Sequence, residues 1–212
     1  MFEIFDCEKL KQELLTMDPR SFYLKHIVKS HNWYFSKYLN IPPEELIDKM
    51  DYFKEIVSTH LKINFHNVQI VGSAKTGYSL SPQKILKPFH DSDEKLKLPS
   101  SDIDIAIISE RLYNFYWDKL RQARRIQTIH YYNRIVSSIF RGFINDKDIL
   151  HINETKELWI KTMSPVNIEL QDNLGFIHPI TYRLYRSWTD LEEYQIDSII
   201  KAKEKLEWNN DV

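Results

Sequence analysis

Two aspartates one residue apart, Asp102 and Asp104, stand in the run Ser101-Asp102-Ile103-Asp104-Ile105-Ala106-Ile107-Ile108. In an extended segment, alternate residues project to the same side, about 6–7 Å apart. Two carboxylates so placed repel each other unless a cation sits between them, and hard divalent ions such as Mg²⁺ suit oxygen donors. Charges on an exposed strand also serve simply to discourage edge pairing, so the pair alone does not decide the chemistry.

The chain has only four glycines, and two of them fall in Gly72-Ser73-Ala74-Lys75-Thr76-Gly77. Glycine lets a backbone approach a ligand closely or adopt positive φ. A strand that ends in Gly-Ser before a turn or helix offers backbone N–H groups to a phosphate. The stretch is not a P-loop, because no Lys-Ser/Thr pair follows a second glycine. Lys75, inside the turn, could reach a phosphate oxygen as a point charge. A simple strand-ending turn is the plainer reading.

Glu169 lies in Ile168-Glu169-Leu170, the same apolar–acid–apolar setting as Ile103-Asp104-Ile105. Residues 166–171, Val-Asn-Ile-Glu-Leu-Gln, alternate strictly and predict a strand. If that strand neighbours the one carrying the aspartates, three carboxylates converge on one patch. Such a patch, with two cations, suits in-line phosphoryl or nucleotidyl transfer. A solvated strand face accounts for Glu169 on its own.

Taken together and in this order, Val68 to Gly72-Ser73, then Ser101-Asp102-Ile103-Asp104-Ile105, then Ile168-Glu169-Leu170, the chain resembles the nucleotidyltransferase superfamily of the DNA polymerase β type. It looks most like the compact bacterial members, many of which act in toxin–antitoxin or antiviral defence modules. The resemblance covers residues 66–171. It implies that Gly72 and Ser73, with Lys75 nearby, hold a triphosphate. It implies that Asp102 and Asp104 ligate two Mg²⁺ or Mn²⁺ ions, and that Glu169 ligates the catalytic ion and favours deprotonation of the acceptor hydroxyl. In one respect the chain departs from compact members, which usually place the acidic pair much sooner after Gly-Ser. Here Ser73 and Asp102 are 29 residues apart.

The elements that would position these residues follow from periodicity. Residues 68–71 and 103–108 predict strands, with Ile103, Ile105 and Ile107 facing one way and Asp102, Asp104 and Ala106 the other. Residues 79–101, polar and holding Pro82, Pro88 and Pro99, predict a long loop. Helical spacing covers residues 8–40, broken at Asp18-Pro19, then the run after Pro42-Pro43, and one or two helices over 110–142. A last helix over 189–208 is expected to start on Thr189 as N-cap, with Glu192 three positions on.

Composition sets the outer bounds. The 212 residues, 42% hydrophobic and 28% charged, suffice for one core or for a core with a helical annex. Few glycines and 13% aromatic residues exclude collagen-like and disordered chains. A net charge of -1 supplies no global field for nucleic acid. The single cysteine, Cys7, excludes an internal disulfide framework and a zinc knuckle. The first residues lack a signal-peptide pattern, and no apolar stretch approaches the ~20 residues of a spanning helix. A cytoplasmic protein without membrane insertion is expected.

Positive charge is nevertheless local. Between residues 110 and 142 stand Arg111, Lys119, Arg121, Arg124, Arg125, Arg134 and Arg141 against Glu110 and Asp118, with Tyr113, Tyr116, Trp117, Tyr131 and Tyr132 interleaved. Phosphate pairing plus base stacking would bind single-stranded nucleic acid. A helix with an aromatic inner stripe and a solvated basic face gives the same pattern. Within this stretch Arg125-Ile126-Gln127-Thr128-Ile129-His130 resembles the Arg-x4-His motif of HEPN-type ribonucleases, in which Arg would stabilise a phosphorane and His would move protons.

The resulting expectation is an α/β fold with a nucleotidyltransferase-like small mixed β-sheet packed by helices. It divides into an N-terminal helical segment over 1–65, a core over 66–180 and a C-terminal helical segment over 181–212. The expected activity is metal-dependent transfer of a nucleoside monophosphate from an NTP or dNTP to a hydroxyl, releasing pyrophosphate. The hydroxyl would belong to a nucleic-acid 3′ end, a nucleotide or a protein, with antiviral defence as the setting. A partner protein or a second copy of the chain could complete the assembly. The alternatives are a catalytically silent nucleotide- or partner-binding regulator and, behind it, the ribonuclease.

Overall fold

The computed structural model describes residues 6–29, 32–95, 98–123 and 131–210. It is a mixed α/β protein, 62% helical, with a small four-stranded mixed sheet packed by helices. The sheet order is β1-β2-β4-β3, with β1 Val68–Val71, β2 Ile103–Ile108, β3 Phe143–Asn145 and β4 Ile180–Tyr185. Strands β3 and β4 are antiparallel, pairing Phe143 with Tyr185 and Asn145 with Arg183.

The chain forms two compact units, neither of them one continuous stretch. The first comprises Met1–Leu46, Ile70–Asp104 and Glu193–Val212. Its helix α1, Cys7–Thr16, starts where Asp6 accepts from the Glu8 N–H. Asp18 then caps α2, Pro19–Tyr23, with Pro19 in the first turn, so the expected break at Asp18-Pro19 is present. Two five-residue π-helical turns follow, Leu24–Val28 and Tyr34–Tyr38. Leu10, Leu14, Phe22, Tyr23 and Ile27 pack with Leu80 and with Ile199, Ala202 and Leu206 of the terminal helix in one buried cluster.

Residues 79–101 hold no helix or strand among the described residues, in keeping with the long loop expected from their composition, and antiparallel contacts organise them. Tyr78 bridges Pro88, and Asp93 and Leu98 exchange two hydrogen bonds of 2.9 Å. The Phe89 N–H donates to the Gly77 carbonyl at 2.8 Å, and the Ser101 N–H to the His90 carbonyl at 2.9 Å. Leu80 and Phe89 are buried. The Tyr78–Pro88 closure holds the two buried apolar anchors, Leu80 within it and Phe89 just after it.

The second unit comprises Ile47–Gln69 and Ile105–Glu192. It holds most of helix α3, Leu46–Leu61, together with α5, Glu110–Ala123, α6, Tyr132–Phe140, α7, Asp146–Leu150, and α8, Asn153–Leu174. Trp159 of α8 meets Tyr116 and Tyr182 edge-on, at ring-centroid distances of 5.1 and 5.9 Å.

Residues 166–171 form no strand; they lie in α8. Their alternation is incidental to a longer helical spacing, because Trp159, Met163, Val166, Leu170 and Leu174 are the buried positions while Ile168 is 57% exposed. Pro165 sits inside this helix. The terminal helix α9 is Trp188–Asn210, and its cap is Ser187 rather than Thr189. The Ser187 hydroxyl accepts from the Asp190 N–H at 3.2 Å and donates to the Asp190 carboxylate at 2.6 Å.

Asp190 is the pivot of this helix start. It is 6% exposed and takes Arg186 at 2.7 and 3.1 Å through two guanidinium nitrogens. Burial alone would raise its pKa, but hydrogen bonds from Arg186 and Ser187 hold it below the ordinary carboxylate value. A depressed folded-state pKa contributes stability above the unfolded-state pKa, which is lost as pH falls through the folded value. Urea titrations should therefore show wild-type stability falling below about pH 4, with Asp190→Asn flattening that loss. At pH 7 the substitution should cost about 1–2 kcal/mol, limited because Arg186 is half exposed.

Candidate functional site

Strand β1 ends at Val71, and the chain turns at Gly72 into the four-residue helix α4, Ser73–Thr76. Gly72 has φ 67° and ψ -152°, a region almost restricted to glycine. The Gly72 carbonyl accepts from the N–H groups of Lys75 and Thr76 at 3.1 and 3.3 Å and from the Thr76 hydroxyl at 3.2 Å. These bonds fix the turn from within.

Asp104 lies directly against this turn. A Cβ on Gly72 would stand 2.5 Å from Asp104 Oδ2. The structure thus brings together two of the features singled out from sequence, the glycine turn and the acidic strand. Both aspartates are half-buried, whereas Ile103 and Ile105 are fully buried. The expected in-and-out pattern therefore holds at the start of β2. It ends at Ala106, which is buried like its neighbours.

Ser73 opens α4 and is half-buried. Lys75 is 5% exposed, so it does not stand out into solvent as a mobile point charge. At the far end of α4, Gly77 has φ 82°, and a Cβ there would stand 2.7 Å from both Cδ1 and Nε1 of the Trp33 indole. Both π-helical turns pack against α4. Such turns are often found at functional sites. The Tyr38 hydroxyl donates to Asp91 at 2.6 Å. Burial, and then that hydrogen bond, push the Tyr38 pKa up to about 12.

Glu169 belongs to helix α8 in the other unit. Its Oε2 accepts from His60 Nε2 at 2.6 Å, and four residues on Asn173 donates to the Tyr52 hydroxyl at 3.0 Å. The two contacts lace α8 to α3. The argument that Glu169 joins the aspartates from a neighbouring strand therefore fails at its premise. The strands flanking β2, with sequences Val-Gln-Ile-Val and Ile-Thr-Tyr-Arg-Leu-Tyr, carry no Asp or Glu. Among the described residues no group of three His, Cys, Asp or Glu side chains is arranged to hold a metal ion.

A third carboxylate is not a general requirement for Mg²⁺. Mg²⁺ is commonly held by one or two carboxylates together with substrate phosphates rather than by an all-protein cage. Asp104 on β2 and Asp102 just before the strand are carboxylates of that hard-oxygen type, Asp104 lying against a glycine that leaves room for it.

Three described arginines of the basic stretch are engaged within their own unit. Arg111 donates to the Leu61 carbonyl at 2.8 Å, at the end of α3. Arg121 pairs with Asp118 at 2.6 Å, and Arg134 with buried Asp148 at 2.5 Å. Tyr113 and Tyr116 are core residues, while Trp117 and Tyr131 are exposed. Arg124, Arg125 and the Arg125–His130 motif lie outside the described residues. Sequence reasoning missed Trp33, Tyr38 and Phe89 as neighbours of the glycine turn. The only signal available was their aromatic clustering, which reads equally well as core.

No family model, curated protein or solved structure matches this chain. Among the described residues no helix is long and apolar enough to cross a membrane.

Gly72→Ala tests the close approach. It should cost about 1–3 kcal/mol in chemical unfolding, from backbone strain. It should also displace the Asp104 carboxylate, which lies where the new Cβ would stand. An alanine variant with unchanged stability would show that the approach is immaterial.

Proposed function

We propose that the Gly72-Ser73 turn with Asp102 and Asp104 binds a divalent metal–nucleoside triphosphate complex, and that the protein transfers the nucleoside monophosphate to a hydroxyl with release of pyrophosphate. One observation carries the reading: the Asp104 carboxylate rests against a glycine that only a side-chain-free residue could supply. That contact supports the reading by setting a carboxylate beside a turn whose sequence suits a phosphate.

In this reading Gly72 and Ser73 bound the triphosphate, and Asp102 and Asp104 hold Mg²⁺ or Mn²⁺. When bound, the metal neutralises the triphosphate and lowers the pKa of the attacking hydroxyl. The bond from acceptor oxygen to α-phosphorus forms as the bond to pyrophosphate breaks. The hydroxyl proton passes to one of the two aspartates, the carboxylates the reading retains at the turn. The acceptor belongs to a nucleic acid, a nucleotide or a protein.

The His60–Glu169 contact favours a second reading, in which the same residues bind the nucleotide without transferring it. Glu169 is occupied in bracing two helices and brings no strand-borne base to the aspartates. The protein would then act as a nucleotide- or partner-responsive regulator.

Incubation with each labelled NTP and dNTP, with Mg²⁺ or Mn²⁺, followed by separation of protein, nucleic-acid and small-molecule products, decides between them. Transfer is expected in the wild type. The Asp102→Asn/Asp104→Asn double variant should melt within a few degrees of it, yet lose at least about 100-fold in rate, since even groups that only support metal ligands are worth 10–100-fold. Binding without any product selects the regulator. Wild-type rates in the double variant overturn the metal site.

A further inference from the structure

The indole of Trp33 lies at the opposite end of α4 from Asp104. Gly77, which closes α4, leaves the space that the Trp33 Cδ1 and Nε1 edge occupies. Five residues of helical rise separate Gly72 from Gly77, about 7.5 Å. That is the scale on which a ribose separates a nucleobase from its phosphates. Phe89 and Tyr38 approach the indole at ring-centroid distances of 5.4 and 6.4 Å, tilted by 45° and 40°. Neither forms a parallel stack on it, and Trp33 remains half-exposed. By contrast Tyr34 and Tyr38 do stack, 5.0 Å apart and 9° from parallel, and the Tyr38 hydroxyl is tied to Asp91. The neighbours of Trp33 are thus locked to one another, which holds the indole in place. Its N–H finds no acceptor among the described residues, and an indole N–H can only donate.

Resting on the nucleotide reading above, we propose that Trp33 is the stacking platform for the base of the bound nucleoside triphosphate. The ligand is then recognised at both ends of α4: phosphates and metal at Gly72 and the aspartates, base at Gly77 and Trp33. An aromatic–base stack is worth about 1–3 kcal/mol by truncation and tolerates every base. A bare polyphosphate would use only the first end.

Calorimetric titration with Mg²⁺ plus α,β-methylene nucleotides, and separately with Mg²⁺ plus inorganic tripolyphosphate, tests this. Trp33→Leu should weaken nucleotide binding about tenfold or more and leave tripolyphosphate binding unchanged, while Trp33→Phe should stay close to wild type. Photolabelling of the unaltered protein with 8-azido-ATP and Mg²⁺ should place the adduct on the peptide containing Trp33, a readout that survives if Trp33→Leu fails to fold. Equal loss of both ligands in a folded Trp33→Leu, no loss of either, or an adduct elsewhere would overturn the stacking role. Wild type that binds tripolyphosphate as tightly as nucleotide overturns it too while sparing the phosphate turn. Wild type that binds neither overturns the nucleotide reading itself.

Discussion

The arrangement around the candidate site depends on one steric fact: the Asp104 carboxylate fits where a side chain on residue 72 would be. For that to hold, β1 must end in a residue able to take φ 67°, and β2 must present Asp104 at this height on the sheet. The buried pair Ile103 and Ile105 fixes the second condition. A one-residue slip would put both isoleucines where the aspartates belong and drive a carboxylate into the core. Core packing on one face of β2 thereby sets the position of the chemistry on the other.

Electrostatics beyond this point are more local than composition implies. Three described arginines of the basic stretch close a helix end or neutralise a carboxylate: Arg111 at α3, Arg121 at Asp118 and Arg134 at Asp148. An arginine committed to a buried carboxylate contributes little outward field, since the pair is nearly neutral at a distance. The interleaved tyrosines likewise divide between core and surface. Arg111 and Arg134 are committed inside the fold rather than presented to a polyanion.

The strands that carry the acidic pair and lead to the glycine turn were legible because their signals are short-range. Val68–Val71 is apolar and β-branched and ends at glycine, and Ile103–Ile108 alternates where it bears the aspartates. Glu169 was misread because three apolar residues at every second position satisfy a strand over six residues. Twenty-two residues, in contrast, show the helical spacing running from Trp159 to Leu174. Strands β3 and β4 went unread, the former being three residues long and the latter alternating only loosely, with Tyr185 buried beside Leu184. The cap of α9 was misplaced by two positions because Ser187 and Thr189 each precede an acid three residues on. Only the bonds at Ser187 distinguish them.

The closures between the turn and the acidic strand also bear on how the chain finds its fold. Gly72 and Asp104 are 32 residues apart, and bringing such distant points together from an open coil costs conformational entropy that grows with the logarithm of the loop. Asp93 meets Leu98 across only five residues, His90 meets Ser101 across eleven, and Gly77 meets Phe89 across twelve. Each closure shortens the free chain left for the next. Because every doubling of a loop adds only about 0.6 kcal/mol, an insertion of this length weighs little on stability. Its nested contacts lower the effective contact order of the Gly72–Asp104 pairing and replace one long diffusive search with a sequence of short ones.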